Sequence, residues 1–272
     1  MKSKKWSIGF FVVAFCVTCN GGTGRKVFKY ADVVKRLCTF DHLAEFPVEG
    51  ERCGNITSFN RDSKYNARSG RYENWHANQD GDGYLRKEGS DIVAAEMEGP
   101  GVIWRIWSAK PREGHIRIFI DGHAEPVVNM PFLEFFNASS DHFPYPALVH
   151  TVARGFNCYV PIAFQKSCKI VFGEGWGKFF QFTYSTFPEG TIVPSFRGSF
   201  NENEKAVLGR ANMILSDSGG YLNKKARGEK IQRNVSVSPG ETVQVCLIEG
   251  AKAITSLHVK PLACEAPNSR RG

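Results

Sequence analysis

The 272-residue sequence lacks most of the short signatures that betray an enzyme's chemistry. It has no G-x-S-x-G elbow and no H-E-x-x-H segment, and its seven histidines are dispersed with none at metal-ligand spacing. Serine hydrolase and zinc-enzyme readings are thereby removed, and no metal or cofactor is implied. GEGWGK, Gly173 to Lys178, has the wrong glycine spacing for a phosphate loop, and Phe179 stands where the hydroxyl residue belongs; a hairpin turn is expected there. No low-complexity or Pro/Ser-rich linker marks a boundary. Beyond the N-terminal stretch no basic run exceeds a pair such as Arg270-Arg271, and acids are interspersed, so the charge reads as a solvated surface and no nucleic-acid partner is expected. Long apolar runs are absent except WSIGFFVVAFCVTC, Trp6 to Cys19, which is short of the roughly 20 residues a membrane span needs.

That run follows Met-Lys-Ser-Lys-Lys and precedes the polar NGGTGRK, the charged, apolar, small-residue order of an export signal. Cys19 is a candidate for lipidation after cleavage, the one membrane attachment considered. Loss of the three leader lysines lowers the formal net charge from +8 to about +5. Six cysteines remain, none in a C-x-x-C pair, and Cys38 with Cys53 is the one disulfide expected; Cys246, in an apolar strand, reads as a buried small hydrophobe.

With 42% hydrophobic and 12% aromatic residues, the chain can bury a sizeable core. ADVVKRLCTFDHLAEF, with apolar Val33, Val34, Leu37, Leu43 and Phe46, predicts one or two short helices ended by Pro47. Gly50 to Gly89 reads as a long polar loop region. IVAAEM, VIWRIWSA, HIRIFI, PVVNM, YVPIAF, KIVF and FFQFTY then follow at short intervals between turns, the pattern of an all-β antiparallel sandwich. NENEKAVLGRANMIL reads as a helix or an irregular connector, and VSVSPGETVQVCLIEG as a hairpin leading to AITSLHV. EGPGVIWRIW from Glu98 recurs loosely as EGAKAITSLH from Glu249, which predicts one complete β-rich unit followed by the opening of a second.

Three readings stay open for NWHANQDGDGYLRKEG. Asn78, Asp80, Asp82 and Gly83 imitate the first half of a calcium loop, but the distal glutamate is displaced to Glu88. A turn with Asp side chains capping backbone N–H groups is the second. The third is sugar recognition, with carboxylates on hydroxyls and Trp75 or Tyr84 on a ring face. On a regular strand Trp104 shares a face with Ile106 and Arg105 with Trp107, so Trp104 is expected in the core and Trp107 either packs or forms a binding platform. Glu96 and Glu98 point in parallel, and Asp121 and Glu125 flank a turn, so neither pair is nominated for catalysis.

Read in order, the Asn/Asp/Gly loop, EGPGVIWRIWSA, HIRIFIDG, PVVNMPFLEFF and YVPIAFQKSCKI resemble glycoside hydrolase family 172, well over Val33 to Tyr184 and more weakly over Val235 to Val259. The resemblance implies a double jelly roll, a trimer or hexamer, and action on fructofuranosides or arabinofuranosides in extracytoplasmic polysaccharide breakdown. It assigns 1–22 to the export signal, 23–49 to a short helical segment, 50–200 to the first jelly roll, 201–234 to a connector and 235–272 to the start of a second, truncated one. Ser58-Phe59-Asn60-Arg61 keeps only part of the family's first-loop motif. The family's two catalytic glutamates belong beyond the opening of the second jelly roll, so the retaining two-carboxylate pair, about 5 Å apart, is not expected in this chain. Trp75, Asp80, Asp82 and Arg105 are expected to line a sugar site shared with a neighbouring subunit. A non-catalytic carbohydrate-binding or structural surface protein is the alternative.

Overall fold

In HIRIFI, isoleucine alternates with arginine and phenylalanine, and a strand must put Ile116, Ile118 and Ile120 on one face. The computed structural model, which describes residues 26–40, 47, 49–74, 80–81, 83–217 and 229–250 with 252, 254, 257, 259 and 260, buries all three to within 1%. Among the described residues fifteen strands and two α-helices are formed: α1 (Tyr30–Lys35), β1 (Arg52–Thr57), β2 (Lys64–Asn66), β3 (Arg71–Glu73), β4 (Arg86–Glu88), β5 (Asp91–Glu98), β6 (Gly101–Ser108), β7 (Lys110–Pro111), β8 (His115–Ile120), β9 (Val128–Pro131), β10 (Val149–Val152), β11 (Gly155–Cys158), β12 (Ile162–Phe164), β13 (Ser167–Phe172), β14 (Gly177–Lys178), β15 (Gln181–Thr186) and α2 (Glu202–Ser216).

One sheet runs β1-β15-β6-β11-β10, with β12 extending the β6 edge, and the other β4-β5-β13-β8-β9; every pairing is antiparallel. Numbering β1, β5, β6, β8, β9, β11, β13 and β15 from 1 to 8, the sheets read 1-8-3-6 and 2-7-4-5. That order is the double Greek-key wrap of a jelly roll. The core lies between the sheets, where Met97, Ile103, Ile106, Ile118, Cys158, Ile170, Phe172 and Phe182 join one cluster. GEGWGK makes a turn but not the expected hairpin, because the strands it joins are not partners: β13 pairs with β5 and β8, and β14 with β7.

The expected helices are present where they can be seen. α1 covers the first of them, while Leu43 and Phe46 lie outside the described residues. α2 starts at a reciprocal cap: Asn201 Oδ1 accepts from Glu204 N at 3.0 Å and Glu204 Oε2 from Asn201 N at 2.9 Å. It buries Leu208, Ala211 and Ile214, and Leu208 and Ala211 meet Tyr30 and Val34 of α1 in the main core.

Four further expectations are corrected. The polar stretch from Gly50 to Gly89 contains β1, β2, β3 and β4; β1 is an edge strand with an exposed face, so its sequence RCGNIT carries too few apolar residues to register as a strand. The hairpin expected in VSVSPGETVQVCLIEG is reduced to its turn, where Glu241 N donates to Ser238 O at 3.0 Å and Gly240 has φ +85°. Its flanks pair with nothing among the described residues, and Val235, Val245 and Leu247 are exposed; a two-stranded ribbon without a third strand or covering helix is marginal in water. Third, Cys38 and Cys53 are free thiols, and Cys53 Sγ instead lies 3.3 Å from Ser185 Oγ across the β1–β15 pairing. Cys246 is likewise exposed rather than buried. The export leader, Cys19 and Cys264 lie outside the described residues.

The β10–β11 hairpin closes on two residues, Ala153 and Arg154, at φ +49° and +64°. Both central positions of such a turn require the left-handed region, which costs an ordinary L-residue about 1–2 kcal/mol. Replacing the pair by Asn-Gly is expected to raise stability by about 1–2 kcal/mol. A thermal midpoint unchanged or lowered in the double variant would refute the turn geometry.

Candidate functional site

β6 does not keep the period of a regular strand. Thr183 of β15 faces Arg105 but Tyr184 faces Ile103, so Trp104 is the extra residue of a β-bulge. The bulge lets Ile103 and Ile106, three apart, both enter the core, and it turns Trp104, Arg105 and Trp107 to the outer face. Trp104 packs as expected, but in a second hydrophobic cluster and not on the face of Ile106. Its indole lies with the outer cluster of Val33, Val102, Ala163, Phe187 and Val193, and its Nε1 donates to Ser185 Oγ at 2.9 Å.

That outer face has two halves. α1, Phe28 and Phe187 cover the half around Val102 and Trp104, with the Arg36 guanidinium 5.3 Å from the Trp104 ring centroid and ion-paired to Glu51. The other half stays accessible and gathers residues from β6, β10, β11 and β15. Arg105 Nε and Nη2 both donate to Asn157 Oδ1, at 3.1 and 3.0 Å, and Nη1 approaches Gln181 Oε1 at 3.5 Å. The guanidinium carbon sits 5.8 Å from the ring centroids of both Trp107 and Tyr159, and His150 stacks on Tyr159. Asn157, 3% exposed, cannot turn its amide, because Nδ2 donates to Gly155 O at 2.9 Å. Gly155 in turn makes room for the indole: a Cβ there would come 2.5 Å from Trp107 Nε1. A rigid amide thus aims a guanidinium between two aromatic rings.

Of the expected sugar contacts, Arg105 is at this place and Trp107 joins it. Asp80 is on a different element: Oδ1 accepts from Asn60 N at 2.6 Å, and Gly81 N donates to Ser58 O at 2.7 Å, which stitches the loop to the segment after β1. Arg61 in that segment lies 4.2 Å over Phe59 and donates to Thr57 O at 2.8 Å. Thr57 is the ladder partner of Gln181, so the loop borders the Arg105 end of the sheet. Trp75 and Asp82 lie outside the described residues. Asn157, Tyr159, His150 and Gln181 went unforeseen, since only the strand order brings them beside Arg105.

The opposite sheet carries the acids. Arg86 holds Glu96 through two hydrogen bonds of 2.7 Å and Glu88 at 2.8 Å, Lys169 reaches Glu88 at 2.6 Å, and Arg117 pairs with Asp91 at 2.6 Å. The hydrogen bond from Lys169, then that from Arg86, pulls Glu88 below the usual carboxylate range; Arg86 does the same to Glu96. Groups held ionised in this way are the reverse of a general acid. A lowered folded-state pKa contributes stability that is complete above the ordinary value of 4.5 and is lost as the pH falls through the depressed one. Stability is expected to fall on acidification below about pH 4.5, and less steeply in Arg86→Gln; parallel acid titrations of the two proteins would expose an error.

Asp121 also has a structural task. Its Oδ1 accepts from Lys166 N and Ser167 N at 2.6 and 3.2 Å and its Oδ2 from the Ser195 hydroxyl. His123 lines the same 340 Å³ pocket, but the serine meets the aspartate directly and not an imidazole, so this is no nucleophile relay. Among the described residues no group of His, Cys, Asp and Glu is arranged to hold a metal ion.

A jelly roll with one salt-bridged face and one aromatic, guanidinium-bearing face defines a β-sandwich protein. The family model described as GH172 first beta-sandwich domain matches residues 49–204, and the chain belongs to glycoside hydrolase family 172. No curated protein matches it.

Proposed function

We propose that this chain serves in the extracytoplasmic breakdown of polysaccharides containing fructofuranose or arabinofuranose, and that it supplies substrate contacts and not the acid/base pair. The observation that supports this is the outer-face cluster of Arg105, Trp107, Tyr159, His150 and Asn157, where a ring can stack on an indole while hydroxyls meet amides. Asp80 contributes from the loop that borders it, Trp75 and Asp82 are proposed as further sugar contacts, and a second copy in a trimer or hexamer shares the site. Glu88 and Glu96 share Arg86 and are held ionised by it, which favours sugar binding without turnover by this chain alone and lends weight to a purely carbohydrate-binding role.

The test is to give the full chain arabinofuranosyl and fructofuranosyl oligosaccharides and an aryl furanoside. Retention of the oligosaccharides, weakened at least about tenfold by Trp107→Ala or Asp82→Ala, is expected, with no release of the aryl group. Failure to bind any furanoside would sink the proposal, and hydrolysis of the aryl furanoside would sink the contact-only part. Sedimentation of the same sample as a monomer would remove the shared site.

A further inference from the structure

Arg105 has donors left over. A guanidinium carries five N–H groups. Asn157 Oδ1 takes one from Nε and one from Nη2, and Gln181 takes one from Nη1 at a long 3.5 Å. Two remain, one on each terminal nitrogen. Asn157 locks the Nε/Nη2 edge of the planar fork, and the two remaining donors lie beyond that edge on Nη1 and Nη2. Two parallel N–H groups at that spacing match the two oxygens of a carboxylate.

The charge is also left over. Among the described residues Arg105 has no carboxylate partner, whereas Arg36, Arg86 and Arg117 each have one. Its neighbours are neutral amides and two rings whose faces tolerate a cation but do not cancel it. The contrast between the sheets is the informative part, because on the outer face of the other sheet Arg86, Lys169 and Arg117 are each neutralised within hydrogen-bond distance. Recognition of a neutral sugar needs donors and acceptors but no net charge.

We propose that the Arg105 face takes an acidic sugar: a uronate residue next to the furanoside in the polysaccharide, its carboxylate on the open Nη1/Nη2 edge and its ring on Trp107. This rests on the sugar-binding reading above and adds the charge of the glycan to it. Asn157 is then a positioning residue, which by occupying Nε and Nη2 turns the other edge toward the ligand.

The experiment follows the indole N–H resonance of Trp107, assigned by its loss in Trp107→Phe, while the full chain is titrated with methyl glucuronoside, methyl glucoside and methyl arabinofuranoside. Methyl glucuronoside is expected to bind about tenfold or more tightly than methyl glucoside at low salt, and the gap is expected to narrow at high salt. In Arg105→Gln the gap closes; in Arg105→Lys, which keeps the charge but loses the fork, it is intermediate. Equal binding of acid and neutral sugars by the native chain, or a preference that survives Arg105→Gln in a folded protein, overturns the inference. If methyl arabinofuranoside binds while the uronate has no advantage, the furanoside reading stands and the acidic-sugar inference falls. If no sugar perturbs Trp107, both fall. If Arg105→Gln instead abolishes self-association, the carboxylate is one from a second copy of the chain, and the inference is overturned.

Discussion

Phe172→Ala is expected to cost about 3–5 kcal/mol of folding stability. Phe172 is fully buried at the end of β13, stacked on Trp176 with ring centroids 4.4 Å apart and an interplanar angle of 10°, and it also meets Phe132 at 4.6 Å, Phe180 at 5.7 Å and Phe182 at 6.3 Å. Truncation removes the transfer free energy of a whole ring, and the four neighbouring rings resist collapse into the space because their backbones are tied elsewhere: Phe182 in β15, Phe132 N to Gly114 O at 3.0 Å, Trp176 O to Arg112 N at 2.9 Å and Phe180 N to Ser58 Oγ at 3.0 Å. Burial, not ring proximity, sets the size. Tyr65 and Tyr72 also lie 5.2 Å apart, yet Tyr65 is 59% exposed on the β2–β3 hairpin, and Tyr65→Ala is expected to cost within about 0.5 kcal/mol. A domain is held by about 5–15 kcal/mol, so the first change removes a large share of it. Denaturant midpoints of the two variants decide the matter: a Phe172→Ala loss below about 1.5 kcal/mol would mean that the aromatic cluster repacks.

How far this molecule could be read from its sequence depended on where its regularities break. HIRIFI became β8 because one face lies in the core and a half-buried strand writes its orientation as alternation, whereas KIVF became β13 as a short apolar run buried at Ile170, Val171 and Phe172. RCGNIT carries no such record, since β1 is an edge strand with little to bury. VIWRIWSA was recognised as a strand but its facing was misjudged, because one extra residue at Trp104 resets the period, and a bulge is a property of the pairing with β15 and not of β6 alone. Arg105 was singled out by residue type, but its partners were not. Asn157 and Gln181 are 52 and 76 residues away, and only the 1-8-3-6 order sets β15 and β11 on either side of β6. The jelly-roll wrap came from likeness to a family, not from periodicity, which cannot order strands. The family match over residues 49–204 bears that likeness out.

Two glycine-to-alanine changes should move stability in opposite directions, and the reason lies wholly in what surrounds each Cα. At Gly114 a Cβ would come 2.2 Å from Glu174 O and from Trp176 N, both backbone atoms of the GEGWGK turn. Neither atom belongs to a side chain that could swing aside, so the two chains must part. Parting breaks Gly114 N to Gly175 O at 3.0 Å and Arg112 N to Trp176 O at 2.9 Å, and it lifts Trp176 from its stack on Phe172. Overpacking of about 1–3 kcal/mol plus two hydrogen bonds of about 1 kcal/mol each gives an expected loss of about 3–5 kcal/mol. Gly209 sits inside α2 with nothing within 4 Å of its added Cβ. Alanine there meets only solvent and its own helix, and removing the extra freedom of glycine from the unfolded chain is expected to add about 0.5–1 kcal/mol. Because Gly209→Ala leaves every core contact in place, a fall in its denaturation midpoint would mean that the outer side of α2 is packed against something in solution. A mild Gly114→Ala would mean that the turn rides further from Gly114, the residue before β8, than the 3.0 Å hydrogen bond allows.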